Sequence, residues 1–248
     1  MTATAVPARP ASSGTLLALY RLLLRTQITI PRLLGIGGLG ALSILIGLFT
    51  RLDPNADTAQ SAADTVSALG LGVLVPLASL WLGTSAIGDL VEDRLLVYLW
   101  LKPVPRWQLP AAAVLATVTI VIPLTAVPLA ISAIVADAAG VAPWALLSTS
   151  LAALAYTGLF VAAGLWFRRA VWWSLAYVLL WENGVAHIST SAARVTVAGW
   201  AASILGAAPD ASVPREAGPA AVALVVLPTI AVAGWLAATW RYRRADID

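Results

Sequence analysis

Long uncharged apolar runs alternate with short charged segments along this chain, and this pattern constrains the fold more than any other feature. A membrane-spanning helix needs about 20 predominantly apolar residues, within a range of about 17–25. Only 11% of the residues are charged, whereas soluble domains carry about 25%. The sequence therefore predicts an all-α integral membrane protein with six spans, at residues 33–50, 66–88, 111–136, 144–167, 170–188 and 220–240.

Residues 15–31 form a separate predicted helix ahead of the first span. On a helical projection, Arg21, Arg25 and Arg32 fall within about 40° of one another, and leucines and isoleucines cover most of the remaining surface. A basic stripe on an apolar helix is typical of an amphipathic helix that lies in the membrane interface. The alternative is that this helix is the cytoplasmic end of the first span.

The remaining segments are assigned by their polarity. Residues 1–14 are small and polar, and we expect a disordered cytoplasmic tail, followed by a single membrane domain at 15–248. Residues 189–218 are too polar to cross a bilayer cleanly and too apolar for a free loop. We therefore expect short, semi-apolar external helices between the fifth and sixth spans.

The basic residues predict how the spans are oriented. Six spans place both termini on one side, and twelve of the fifteen Lys and Arg residues fall on that side. An excess of Lys and Arg marks cytoplasmic loops, so both termini and residues 89–106, hereafter the charged segment, are predicted to be cytoplasmic. This distribution accounts for the net charge of +3 without a nucleic-acid partner. Low lysine and high alanine content suggest a bacterial protein of the cytoplasmic (inner) membrane. The three residues on the other side are Arg51, Arg194 and Arg215.

The charged segment, D-L-V-E-D-R-L-L-V-Y-L-W-L-K-P-V-P-R, is the densest group of charges between two apolar runs. On a helix that begins at Asp89, the carboxylates of Asp89, Glu92 and Asp93 lie within about 100° on one face. They could simply complement the positive end of a helix dipole. That explanation leaves Arg94 and the helix-breaking Pro103 unexplained. A cytoplasmic segment of this kind is expected to face a soluble partner.

The charged segment resembles the first cytoplasmic loop of ABC-2-type exporter permeases. That loop commonly contains an acidic patch, a Gly-Thr pair, a Leu-rich turn and Pro-Val-x-Arg before the third span. In this chain Arg94-Leu95 stands in place of Gly-Thr. The interfacial helix, the six spans with both termini inside and the external segment are also similar to this family, so the resemblance covers nearly the whole chain. The matching positions are Glu92, Asp93, Leu96, Leu99, Leu101, Pro103, Val104 and Arg106.

The resemblance implies the transmembrane subunit of an ATP-driven exporter that moves an amphipathic or hydrophobic substrate, such as a drug, antibiotic, lipid or peptide, out of the cell by alternating access. In this family the loop docks into a separate ATPase subunit, present in two copies that bind ATP and Mg, and two permeases, identical or paralogous, pair. The chain lacks the phosphate-binding motif G-x-x-x-x-G-K-[ST], so we expect it to be no enzyme and to bind no cofactor itself. The predicted contact residues for the ATPase are Asp89, Glu92, Asp93, Arg94, Lys102, Pro103 and Arg106.

Charged and histidine side chains are rare within the predicted spans. Ion-coupled carriers usually need intramembrane carboxylates or histidines, so their scarcity favours ATP as the energy source. Glu182 and His187 are the exceptions. They could belong to an exit gate, or Glu182 could end its helix and bind backbone amides or Arg194. Thr84 and Ser85 could line the pathway or form hydrogen bonds within the bundle. With one histidine and no cysteine, no metal site is expected.

Two other classes of function remain open at this stage. A non-transporting membrane anchor or assembly factor for an ATPase would also explain the charged segment. An intramembrane enzyme would require Glu182, His187 and a nearby aspartate to converge. Proline kinks suit spans that move, which favours transport over a static anchor. The prolines within the spans are Pro76, Pro123, Pro128 and Pro228.

Overall fold

The computed structural model describes residues 13–92, 105–184, 190–213 and 217–244. This part of the chain is built from helices without strands, which confirms the all-α part of the predicted fold class. In chain order the α-helices are α1 (Ser13–Gln27), α2 (Ile30–Leu52), α3 (Thr58–Thr65), α4 (Val75–Glu92), α5 (Gln108–Val135), α6 (Ala142–Trp166), α7 (Ala170–Ala176), α8 (Val197–Leu205) and α9 (Ala220–Arg244). Two π-helical stretches, π1 (Val66–Leu74) and π2 (Tyr177–Gly184), continue α3 into α4 and extend α7. A 3₁₀ turn, Thr190–Val195, precedes α8.

Five helices in the described part of the chain are long and apolar enough to cross a membrane. They correspond to five of the six predicted spans, with boundaries that differ by a few residues. Their bounds are Ile30–Leu52, Thr58–Gly88, Gln108–Val135, Ala142–Trp166 and Ala220–Arg244.

The predicted span at 170–188 is the one that this set does not include. α7 contributes seven residues and π2 eight, which reach at most about 22 Å at 1.5 Å per residue. The hydrocarbon core of a bilayer is about 30 Å thick. Residues 185–189, which contain the end of this predicted span and His187, lie outside the described residues.

α1 and α2 are separate helices, and the break between them falls at Ile28 and Thr29. Pro31 occupies the first turn of α2, where a missing backbone N–H is tolerated because it would have no partner in the helix. The predicted basic stripe is therefore divided. Arg21 and Arg25 belong to α1, and Arg32 belongs to α2.

α1 docks on α5 through a face that includes the buried side chains of Leu19, Leu23 and Gln27. Gln27 Nε2 donates to Thr117 Oγ1 at 3.1 Å, and the Thr117 hydroxyl donates to Gln27 Oε1 at 3.2 Å. This reciprocal pair satisfies polar groups that would otherwise be buried without partners. The exposed Arg21 lies on the opposite face of α1, about 160° from the centre of the buried stripe.

α6 is the central helix of the bundle and packs against α4, α5 and α9. A Cβ atom at Gly158 would lie 2.6 Å from the Ala231 carbonyl oxygen, and one at Gly234 would overlap the backbone of Gly158. On the α4 side, a Cβ atom at Gly164 would lie 2.8 Å from the Thr84 carbonyl oxygen. α6 thus meets both neighbours at backbone distance, as small residues permit in membrane bundles.

The glycines of α2 divide into two groups. Gly40 and Gly47 are buried against α5, and a Cβ atom at Gly47 would overlap the Ser132 carbonyl group. A Cβ atom at Gly37 or Gly38 would have no neighbour within 4 Å among the described residues. Gly40 and Gly47 therefore let α2 pack closely against α5, whereas Gly37 and Gly38 take no part in that contact.

The two ends of the bundle differ in charge. At one end, Arg51 Nε pairs with Asp137 Oδ2 at 3.2 Å, and Gln60 Nε2 donates to the Ser212 carbonyl at 2.8 Å. The opposite end carries the ends of α6 and α9 and the start of α5. Nine of the eleven described basic residues belong to that second end, which we call the basic end: Arg21, Arg25, Arg32, Arg106, Arg168, Arg169, Arg241, Arg243 and Arg244.

The contact between α6 and α9 predicts different effects for the same substitution at two glycines. Gly158→Ala should lower stability by about 1–3 kcal/mol, because an added methyl group must push the α9 backbone away. Gly37→Ala should leave stability unchanged or raise it slightly, because alanine favours helix and meets no neighbour. Thermal unfolding of both variants in the same detergent measures the difference. Equal melting temperatures would contradict the close contact.

Candidate functional site

The charged segment begins at the end of α4. Asp89 and Glu92 lie in the last described turn of this helix, whereas Asp93, Arg94, Lys102 and Pro103 are outside the described residues, and nothing in the structure bears on them. α4 starts at Val75, so Asp89 does not begin a helix. The helical run that contains Asp89 and Glu92 starts at Thr58, more than eight turns away, so these two carboxylates do not complement the positive end of their own helix.

The other end of the charged segment is fixed to the C-terminal turn of α9. Arg106 is exposed, and its Nη1 donates to the Arg243 carbonyl oxygen at 2.7 Å. Carbonyl groups in the last turn of a helix lack partners within it, and a guanidinium group is well suited to satisfy them. The segment therefore leaves the bundle from α4 and returns beside α9.

Close packing links α4 to the bundle almost up to the charged segment. A Cβ atom at Gly83 would lie 3.0 Å from Phe160 Cβ on α6, and one at Gly88 would be 3.9 Å from Gly164. Gly88 is four residues before the last described residue of α4. A displacement of the charged segment would therefore act directly on the contact between α4 and α6.

The two hydroxyl residues considered as pathway candidates bond to their own helix. Thr84 is buried, and its hydroxyl donates to the Leu80 carbonyl at 2.7 Å. Ser85 Oγ donates to the Leu82 carbonyl at 3.3 Å. This matches the alternative in which these groups form hydrogen bonds within the bundle, a common arrangement for serine and threonine in helices.

Glu182 is buried in π2, with 3% of its surface exposed. Its Oε1 accepts from the Tyr177 hydroxyl at 2.8 Å and from the backbone amide of Val197 at 3.0 Å, and its Oε2 accepts from the amide of Ala198 at 3.1 Å. This matches the alternative in which Glu182 binds backbone amides of the following segment. Its companion candidate, His187, lies outside the described residues.

The side-chain carboxylate of Glu182 lies at the N-terminus of α8. Val197 and Ala198 are the first two residues of that helix, and Thr196 caps the third amide through a 3.1 Å hydrogen bond from Gly199 N. Amides in the first turn have no partners within a helix, and the helix dipole favours a negative charge there. The carboxylate therefore fastens residues 190–213, hereafter the α8 segment, to π2.

Arg194, the other expected partner of Glu182, forms its hydrogen bonds with other groups. Its Nε donates to the Ala217 carbonyl at 3.1 Å, and its own carbonyl accepts from Trp200 Nε1 at 3.0 Å. Ser203 Oγ accepts from the amide of Ala217 at 2.9 Å. These contacts hold the α8 segment and Ala217 together as a small folded unit on α6 and α9.

An aromatic cluster surrounds the Glu182 contact. The ring of Phe160 stacks on Tyr156 at 5.8 Å and meets Tyr177 edge-on at 6.2 Å. Tyr177 donates its hydroxyl to Glu182, whereas the buried hydroxyl of Tyr156, although near the same carboxylate, has no well-aligned hydrogen-bond partner among the described residues. The two tyrosines of this cluster therefore differ, because the hydroxyl of Tyr177 makes a well-aligned hydrogen bond and that of Tyr156 does not.

This difference makes a matched pair of substitutions informative. Tyr177→Phe should destabilise the chain by about 1.5–3 kcal/mol, because it removes a hydrogen bond to a buried carboxylate. Tyr156→Phe should be neutral or slightly stabilising, because its hydroxyl is buried without a partner. Hydrogen exchange at Val197 and Ala198, with thermal unfolding, measures both effects. Faster exchange in Tyr156→Phe than in Tyr177→Phe would contradict the assignment.

The chain was compared with protein-family models and with curated proteins. No protein-family model matches the chain, and no curated protein matches it significantly. Within the described residues, no group of three or more histidine or carboxylate residues is arranged to hold a metal ion.

Proposed function

We propose that this chain is the permease subunit of an ATP-driven exporter similar to ABC-2-type permeases. The observation that carries the proposal is the course of α4. It runs as one helix from the buried region beside α6 to Glu92, and its last four residues are the start of the charged segment. A soluble ATPase that binds this segment would hold the end of a helix that is packed into the centre of the bundle.

The close helix contacts provide a route for coupling. ATP and Mg would bind to two copies of the separate ATPase, whose closure would displace the charged segment and α4. The contact at Gly164 would pass this displacement to α6, and the contact between Gly158 and Gly234 would pass it to α9. A second permease copy or paralogue would complete a pathway for an amphipathic or hydrophobic substrate, opened alternately to each side.

The contacts of Glu182 favour ATP rather than an ion gradient as the energy source. It is the one charged side chain among the buried residues of the described chain. Its carboxylate accepts hydrogen bonds from the Tyr177 hydroxyl and from two backbone amides at the start of α8. These are structural partners, and the described spans hold no second buried carboxylate of the kind that ion-coupled carriers usually need.

We further propose six spans in a bacterial inner membrane, with both termini cytoplasmic and 170–188 as a short fifth crossing. The location of nine described arginines at the basic end supports this orientation.

Labelling of single cysteines tests the orientation, since the chain has no cysteine of its own. Asn55→Cys, at the end opposite the basic end, should react with a membrane-impermeant maleimide in intact cells. Arg168→Cys, at the basic end, should react only after the membrane is permeabilised. Both side chains are exposed. The reverse pattern would overturn the proposed orientation.

Co-purification is the direct test of the function. The chain should be co-expressed with an ABC ATPase encoded beside it and purified in nanodiscs. We expect a stable complex of two copies of each subunit that hydrolyses ATP. Failure to recover any ATPase with a folded permease would overturn the proposal.

Charge reversal tests the role of the charged segment in that complex. Glu92→Lys with Asp93→Lys should release or uncouple the ATPase, because complementary charges at the docking surface would become repulsive. Asp53→Lys with Asp64→Lys provides the control, because it changes the net charge equally at the opposite, exposed end. The measurement is ATPase recovery and substrate-stimulated hydrolysis. An equal effect of both pairs would remove the segment from the mechanism.

A further inference from the structure

Two tryptophans meet where α6 and α9 reach the basic end. Trp166 is the last residue of α6, and Trp240 lies in the last part of α9. Their rings stack with centroids 5.6 Å apart and planes inclined by 19°. Each ring is nearly half exposed, at 47% and 46%. This pair forms a rigid aromatic surface that stays open to its surroundings.

The guanidinium group of Arg244 lies over this surface. Its Cζ atom is 4.2 Å from the centroid of the Trp240 ring, a distance at which the ring attracts the cation. Arg243 is exposed beside it. Because Arg244 is already oriented by the ring, it would lose less conformational entropy than a free side chain when it binds an anion.

An apolar strip leads along α9 to these arginines. Val225, Val232 and Leu236 are exposed, and with Arg243 they fall within about 40° of one another on the helix. The opposite face of α9, which includes Ala231 and Gly234, is buried. Along its axis α9 therefore presents apolar side chains, then tryptophan, then arginine toward the basic end, with Trp240 and Arg244 about 60° and 100° around the helix from the centre of the strip.

The spacing of these groups matches one leaflet of a bilayer. At 1.5 Å per residue, Val232 lies about 12 Å from Trp240 along the axis, and Arg244 lies about 6 Å beyond it. The polar layer of each leaflet is about 5–7 Å thick, and tryptophans concentrate at its boundary with the hydrocarbon. Arg243 and Arg244 would then lie among the headgroups while Val232 and Leu236 contact acyl chains.

We infer that the surface formed by Trp166, Trp240, Arg243 and Arg244 binds the headgroup of an anionic phospholipid. The planar guanidinium of Arg244 can donate two hydrogen bonds to a phosphate group, Arg243 adds a second positive charge, and the acyl chains lie along the apolar strip. A lipid fits better than a protein partner, because the strip that continues this surface belongs to a helix long and apolar enough to span a membrane. The inference depends on membrane insertion and not on the exporter proposal.

Native mass spectrometry of the full chain in neutral detergent tests this site. Dioleoyl phosphatidylglycerol and dioleoyl phosphatidylcholine are titrated separately, and inorganic phosphate is added as a competitor. Wild type should retain one phosphatidylglycerol preferentially. Arg243→Gln with Arg244→Gln should weaken this binding about 25-fold, since each arginine near an anionic surface contributes about fivefold. Arg21→Gln with Arg25→Gln is the matched control, with the same loss of charge at the same end.

The outcomes distinguish a specific lipid-binding site from non-specific electrostatic attraction. A large loss in the α9 pair with little change in the control pair, and a smaller loss in Trp240→Leu, supports the site. Equal losses in both pairs mean that only net charge matters and overturn it. Equal retention of the two lipids, or displacement by millimolar phosphate, also overturns it. If the α9 pair fails to fold, Arg244→Lys keeps the charge but loses the planar group, and unchanged binding there refutes the proposed geometry.

Discussion

The backbone-to-backbone contact of α6 with its neighbours is the interaction on which the rest of the structure depends. Apolar helices in lipid gain little from the hydrophobic effect, so they associate mainly through van der Waals packing. That attraction falls steeply with separation, and Gly158, Gly164 and Gly234 allow α6 to meet α4 and α9 at backbone distance. A helix held at this distance on two sides cannot shift without moving α4 or α9. The same contacts that stabilise the bundle would therefore also transmit motion through it.

Glu182 shows how a charge can be buried in such a bundle. An isolated carboxylate in an apolar interior would cost far more than the chain could sustain. Here the cost is offset by the Tyr177 hydroxyl, by two amides and by the dipole of α8. The result is a fixed connection between π2 and the α8 segment. π-helical turns are often found at functional sites, and this one places Glu182 within reach of the start of α8.

The basic end combines the three features that bear on function. The charged segment leaves from α4 and returns at Arg106 beside the last turn of α9. The stacked tryptophans and Arg244 lie on that same helix. The proposed ATPase and the proposed anionic lipid would therefore contact neighbouring surfaces at the end of α9. Lipid composition could then influence how firmly the end of the charged segment is held.

The sequence by itself determined the all-helical fold, the long apolar spans and the separate basic helix α1, because lipid imposes a length and polarity requirement that each segment meets locally. Only the tertiary structure decided which glycines matter. A Cβ atom at Gly47 would meet the Ser132 backbone and one at Gly37 would meet no described residue, although both glycines occupy the same apolar run. The structure likewise gave Glu182 its partners at Val197 and Ala198, with Arg194 directed elsewhere. Hydropathy is a property of neighbouring residues, whereas these contacts depend on how separate helices dock, which no local pattern encodes.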